Sequence, residues 1–271
     1  MTTTRPHALI TGASSGIGAS FAERLAHDGY DLIIVARRRE RLEELAQRLQ
    51  QKYQVDVEVL AADLSKSDSL RIIEKRIAED TALEILINNA GFGGYMPFVN
   101  LDPDKAEEQL NLHVVALTRL TRAALPGMLT RKKGAIINVS SRLAFSSSMG
   151  SAQMPKRATY AGTKAYINTF SQLLQSELDG TGVQVQALCP GLVETEFHSH
   201  VGADTSRFPA GMVMKPEDVV TGSLAGLKLG EVICVPALED MSLLTNIQES
   251  ERKFFETSRM GDLAQRYKDT K

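Results

Sequence analysis

Short apolar runs alternate with amphipathic stretches along almost the whole of this 271-residue chain. The runs at 8–11, 32–36, 55–61, 85–88, 135–139, 183–188 and 232–235 are rich in Val, Ile and Leu. Most of them are nearly continuous and not alternating, so they predict strands covered on both faces. Between them, 16–28, 40–53, 67–79, 104–131, 158–179 and 216–229 space their apolar residues as one face of a helix. Strand and helix taken in turn predict an α/β fold: a doubly wound parallel sheet of about seven strands, helices on both faces, in one domain over 1–271. Right-handed crossovers bring the carboxyl ends of the strands to one edge, where ligands collect at the point of chain reversal.

Composition narrows the function. A formal charge of −2 gives no basic surplus for nucleic acid. No apolar run approaches the roughly 18–20 residues of a membrane span. The first residues, Met1 to Pro6, lack the apolar core of a signal peptide, so a cytoplasmic protein is expected. Cys189 and Cys234 lie in apolar runs and read as small buried residues, not a disulfide or metal pair.

The chemistry begins after the first strand, at Gly12, Ser14, Ser15, Gly16, Ile17 and Gly18. Glycines at a strand-to-helix turn let the backbone approach a pyrophosphate, and the helix N-terminus favours its charge. Such a turn alone is also a plain tight connection. The end of the second strand adds a preference. An NAD site needs a carboxylate about 20 residues past the glycines, but this position reads Arg37-Arg38-Arg39. Guanidinium groups pair with a 2′-phosphate, so Arg37 and Arg38 predict NADP(H), while Arg39 and Arg41 read as a solvated helical turn. Farther along, Tyr160 and Lys164 are four residues apart in a helical stretch and share a face. A phenol beside an ammonium is a candidate acid–base group, and Ser141 upstream a candidate donor to the same oxygen.

Taken in register, these pieces resemble the short-chain dehydrogenase/reductase family in its common single-domain, Rossmann-type form. They run from the glycine turn through Asp63-Leu64, Asn88-Asn89-Ala90-Gly91, Asn111, Ser140-Ser141, Tyr160-x-x-x-Lys164 and Pro190-Gly191 to Thr195. The resemblance implies that Asp63, with Leu64 beside it, holds the adenine amino group, and that Asn89, Ala90 and Gly91 pack beside the adenine ribose. It implies that Pro190, Gly191, the Val193 backbone and Thr195 cup the nicotinamide. Tyr160 would exchange a proton with the substrate oxygen and Ser141 donate to it. Lys164 would hold the nicotinamide ribose and lower the Tyr160 pKa. Asn111 would position a water that relays protons to Lys164. Homodimers or homotetramers through 104–131 and 158–179 are also implied.

Four stretches depart from the family pattern or shape the pocket. Ser141 and Tyr160 stand nineteen positions apart, more than the family's usual spacing. Alignment recovers at Pro155, so 143–154 reads as a longer loop, a lid or plain surface. Tyr95 in 92–98 and the excursion at 196–215 bring Phe197, His198, His200, Arg207, Phe208, Met212 and Met214 to the substrate side, or seal the core. The two histidines lack a Cys/His cluster around them and are not read as a metal site. The extension at 240–271 carries one or two amphipathic helices over 243–266. The expected function is an NADPH-dependent carbonyl reductase or alcohol dehydrogenase for a partly apolar ketone, aldehyde or secondary alcohol. A 3-oxoacyl or steroid-type reductase, or a non-catalytic NADP(H)-binding protein, is the alternative.

Overall fold

The chain begins with β1 (His7–Thr11), α1 (Gly16–His27), β2 (Asp31–Ala36), α2 (Arg39–Tyr53), β3 (Val57–Ala61), α3 (Ser67–Ala78) and β4 (Leu83–Asn88). It continues with α4 (Pro103–Leu110), a π-helical segment (Asn111–Ala116), α5 (Leu117–Arg131), β5 (Gly134–Val139), α6 (Ala158–Leu178) and β6 (Val183–Leu188). The two-residue strands β7 (Leu192–Val193) and β8 (Val213–Met214) precede α7 (Pro216–Lys228), β9 (Ile233–Cys234), α8 (Ser242–Thr257) and α9 (Gln265–Lys268). This computed structural model describes residues 5–94, 96–150, 157–196, 211–259 and 261–268. Tyr95, 151–154 with Pro155, and Phe197, His198, His200, Arg207 and Phe208 lie outside the described residues.

Seven strands pair in the order β3-β2-β1-β4-β5-β6-β9, every pairing parallel, while β7 and β8 form a separate parallel pair. The predicted Rossmann-type sheet is therefore the observed one. Alternate residues of each strand serve opposite faces. Ile10, Ile34, Ile87 and Ile137 pack with Phe21 of α1, Leu42 of α2 and Val220 of α7. Leu9, Ile33, Leu86 and Ile136 pack with Ile73 of α3, Leu120 of α5 and Leu174 of α6. Both faces of the sheet are covered, which is why β1, β2 and β4 read as nearly continuous apolar runs. Cys189 and Cys234 are free thiols buried in this packing, and burial pushes each up to about 12.

The chain divides into two compact units, Met1–Pro236 and Ala237–Lys271. The sheet and its helices through α7 belong to the first. In the second, α8 and α9 supply the helices expected over 243–266. Among the described residues no helix is long and apolar enough to cross a membrane.

Two local features depart from the simplest reading of the sequence. The helix expected over 104–131 is interrupted at Asn111–Ala116, where i→i+5 bonding widens the turn and resets the helical phase. The core also holds a polar chain across its central strands. Asn88 Nδ2 donates to Thr121 Oγ1 at 3.0 Å and to Asn138 Oδ1 at 2.9 Å, and Asn138 Nδ2 donates to Ser171 Oγ at 3.0 Å. These bonds tie β4 and β5 to α5 and α6 just below the carboxyl edge of the sheet.

At the opposite edge, Asp80 is nearly buried and accepts from His7 Nδ1 at 2.8 Å, Arg76 Nη1 at 2.7 Å and the Ala82 amide at 2.8 Å. Burial raises its pKa, but these donors outweigh burial and the net shift is downward. A depressed carboxylate stabilises the fold above its unfolded pKa of about 3.9, and that contribution fades as pH falls through the folded value. Asp80→Asn is therefore expected to lower Tm clearly at pH 7 and much less near pH 3. Thermal unfolding at the two pH values checks this, and an equal loss at both would contradict it.

Candidate active site

The site forms where the strand order reverses, between the carboxyl ends of β1 and β4. Thr11 closes β1 with a buried hydroxyl that donates to Ile87 O at 3.2 Å and accepts the Asn89 and Ala90 amides at 2.9 and 3.0 Å. Asn89 Nδ2 returns two bonds, to Thr11 O at 2.9 Å and Gly12 O at 3.2 Å. The glycine turn and the β4 exit are thus one rigid piece. Gly12 and Gly16 take φ of +68° and +55°, where a side chain is strained. A Cβ on Gly16 would also stand 2.8 Å from Thr195 Cγ2. Gly18 sits in α1, where a Cβ would run into Gly12 O and lie 2.5 Å from Asn89 Nδ2.

These elements line a cavity of about 780 Å³. Gly12, Ser14, Ser15, Gly16, Ile17, Arg37, Arg38, Asp63, Leu64, Asn89, Ala90 and Gly91 line one part. Ser141, Tyr160, Lys164, Pro190, Gly191, Val193 and Thr195 line the rest. Among the residues singled out in the sequence, Gly18 and Asn111 are not on its wall. Phe92, Leu112, Leu143, Leu192 and Met212 add an apolar lining beside Tyr160. Asp63 Oδ1 accepts the Ser65 amide and hydroxyl at 3.0 and 2.7 Å, so this carboxylate also shapes its own turn.

The arginines divide differently from the sequence reading. Arg38 donates to Ser14 Oγ at 2.9 Å, Ser15 Oγ at 2.9 Å and Glu196 Oε2 at 2.9 Å. Arg41, read from the sequence as solvated, donates to Glu196 Oε1 at 2.6 Å. Their hydrogen bonds, Arg38 first, hold the Glu196 carboxyl down to about 2. Arg37 instead reaches Glu108 at 3.4 Å. The Arg38–Arg41 pair was hidden because Arg41 lies one helical turn into α2, where its partner cannot be read from spacing.

At the other end, Lys164 is 5% exposed and donates to Val139 O at 2.8 Å. Its Nζ stands 5.6 Å from the centroid of the Tyr160 ring. Burial lowers its pKa to about 8, opposed by Cys189. Ser140 and Ser141 have separate tasks. Ser140 Oγ donates to Lys164 O at 3.0 Å, fixing α6 to the end of β5. Ser141 Oγ accepts the Leu143 amide at 3.2 Å, which leaves its hydrogen for an acceptor in the cavity. Of the longer loop, Ser146 accepts from Arg157 Nε at 3.0 Å, so its described part is anchored to the start of α6. The sequence reading passed over His113, a buried histidine whose ring stands edge-on to Tyr160. A lone polar residue within Leu112–Leu117 was the available signal.

A dinucleotide fits this donor set: small residues where a pyrophosphate backbone must come close, hydroxyls and guanidiniums for phosphate oxygens, and room for both rings. The family model described as short chain dehydrogenase matches residues 6–206. A solved short-chain dehydrogenase from Sphingobium yanoikuyae in complex with NADPH is 37% identical, covering 97% of this chain and 100% of that one at a TM-score of 0.90. A bulky-bulky ketone specific alcohol dehydrogenase from Comamonas testosteroni is 34% identical, covering 98% and 99% at a TM-score of 0.87. The very-long-chain 3-oxoacyl-CoA reductase of Homo sapiens is 32% identical over 194 residues, 70% of this chain and 60% of the relative. The chain spans just under three fifths of the length of several curated relatives that it matches.

Gly18→Ala is expected to overpack the turn and destabilise the protein by roughly 1–3 kcal/mol. At about 2–4 °C per kcal/mol for a chain of this size, Tm falls by several degrees. Calorimetry checks this, and an unchanged Tm would mean that the turn and α1 can move apart.

Proposed function

Because the chain belongs to the short-chain dehydrogenase family, whose members use NAD(P)(H), we propose that it is an NADPH-dependent carbonyl reductase. Its substrate in this reading is a partly apolar ketone or aldehyde, or the alcohol when run in reverse. One observation carries the proposal: Tyr160, Lys164 and Ser141, all buried, share one cavity with the glycine turn, Ser14, Ser15 and Arg38. The NADP(H) preference rests on Arg38, Arg41 and Ser14, donors that already hold one carboxylate and suit a 2′-phosphate. Arg37 stands on the same rim.

When bound, the nicotinamide supplies the hydride to the carbonyl carbon. Tyr160 gives its phenolic proton to the carbonyl oxygen, and Ser141 donates a hydrogen bond to the same oxygen as negative charge grows there. Lys164, held by Val139 O beside the Tyr160 ring, supplies the positive field that makes the phenol a better acid. Gly91, Ala90 and Asn89, on the cavity wall, would pack beside the adenine ribose, and Asp63 and Leu64 would hold the adenine. Pro190, Gly191, Val193 and Thr195 are the proposed cup for the nicotinamide. The apolar wall of Phe92, Leu112, Leu143, Leu192 and Met212 excludes water and favours bulky apolar substituents. The solved relative named for bulky ketones supports that class, and the 3-oxoacyl-CoA reductase supports the acyl thioester as second candidate. The proposed assembly is a homodimer or homotetramer through α5 and α6, which expose Leu129 and Leu173.

The test is cofactor oxidation, with NADPH and NADH, across bulky ketones, aldehydes, 3-oxoacyl thioesters and steroids. The expected result is NADPH-dependent reduction of a bulky ketone that Tyr160→Phe abolishes while NADPH still binds. Replacing Arg38 and Arg41 by Ala should reduce the NADPH/NADH preference by roughly tenfold or more, the loss of charge-assisted bonds. Turnover retained in Tyr160→Phe would remove the proposed acid. An unchanged preference would remove the phosphate site.

A further inference from the structure

The resemblance selects Asn111 as the polar residue of the π-helical segment, but the geometry favours a neighbour. Among the described residues Asn111 makes no side-chain hydrogen bond, and neither it nor His113 is on the cavity wall. His113 is 1% exposed and bonded at both ring nitrogens. Nε2 lies 3.2 Å from the Phe92 amide, which can only donate, so Nε2 carries no proton. The neutral ring then keeps its proton on Nδ1 and donates to Thr163 Oγ1 at 2.9 Å. Thr163 passes its own proton to Tyr160 O at 2.8 Å. The tautomer is dictated by these partners in sequence.

Two further contacts place this ring behind two residues of the cavity wall, Tyr160 and Phe92. It stands edge-on to Tyr160, with centroids 5.8 Å apart at 77°, and Phe92 packs against it at 6.0 Å. A Cβ on Gly91 would lie 2.8 Å from Nε2, so the glycine of the β4 exit also makes room for His113. Phe92 is held from both sides, because Gln109 Nε2 donates to its carbonyl at 3.1 Å. Burial first, and the Lys164 charge second, keep the imidazole neutral well below the usual histidine range. Tyr160 and Lys164 are the titratable groups that face it.

We propose that His113 is a positioning residue of the reductase. As the Nδ1–H tautomer it sets Tyr160 through Thr163 and holds the main chain of Phe92 at the substrate wall. This rests on the carbonyl-reductase reading above. The two bonds have separable consequences, since an Asn side chain reproduces the Nδ1–H donor but cannot reach as the Nε2 acceptor.

The experiment measures kcat and KM for the best ketone in wild type, His113→Asn and His113→Phe, with NADPH affinity followed by fluorescence. His113→Asn should keep most of kcat and raise KM by roughly 3- to 10-fold, the effect of one unpaired amide. His113→Phe keeps a ring but neither bond, and kcat should fall roughly 10- to 100-fold as Tyr160 shifts. NADPH affinity should stay unchanged in both. Equal kcat in the two variants would overturn the proposal even if both lose Tm. In parallel, ¹⁵N NMR of the folded wild type should give an Nδ1–H ring that does not titrate between about pH 5.5 and 8.5, around the free-histidine pKa near 6.5. An Nε2–H ring, or titration in that range, would overturn it without reference to any substrate. A wild type that reduces no carbonyl, with the NMR result as expected, would instead locate the failure in the functional reading.

Discussion

The site depends on the clamp between the end of β1 and the exit of β4. Thr11 and Asn89 exchange hydrogen bonds across the place where the strand order reverses, and each uses both main-chain and side-chain groups to do so. A buried turn cannot leave such groups unpaired without a cost of about 1–3 kcal/mol each. The clamp therefore fixes the turn at Gly12, the entry angle of α1 and the path of Ala90, Gly91 and Phe92 together. Everything that lines the cavity on that side inherits its position from these few bonds.

The opposite side is positioned by a different device, a charge taken out of water. Lys164 is buried against Val139 O, and Ser140 holds the lysine's own carbonyl, so α6 is pinned to the end of β5 at two points. Burial weakens the hold of Lys164 on its proton, bringing it to about 8, while His113 and Cys189 stay neutral nearby. The Lys164 ammonium is thus buried with neutral His113 and Cys189 nearby, and its field acts on the adjacent phenol with little screening. At the far end, Arg38 and Arg41 both donate to Glu196. In the proposed reading these two cationic centres serve the two ends of a dinucleotide.

Much of this was legible in the sequence because the signals were local. Nearly continuous apolar runs marked most of the strands buried on both faces, and β6 spans the same residues that the pattern marked out, Val183–Leu188, with Gln184 and Gln186 between its apolar positions. The glycine turn, Ser141, Tyr160 and Lys164 each carry their chemistry in residue type and spacing, and all but Gly18 and Asn111 of the named set reach the cavity wall. What escaped depends on phase and long-range pairing. The π turn at Asn111–Ala116 breaks the 3.6-residue period, so the face presented by His113 could not be deduced from regular helical spacing. Arg41 meets Glu196 across 155 residues of chain, a partnership that no local pattern encodes. The separate tasks of Ser140 and Ser141 likewise emerge only when α6 is packed against β5.

The central claim is that this cavity passes hydride from a nicotinamide to a carbonyl carbon while Tyr160 supplies the proton. The most direct measurement follows the hydride itself. NADPH carrying deuterium at both positions of nicotinamide C4 is incubated with the enzyme and a bulky ketone, and the alcohol is analysed by mass spectrometry and NMR. The account predicts one deuterium in the product, bound to the carbinol carbon. An alcohol formed without that label, or cofactor oxidised with no alcohol formed, would contradict it.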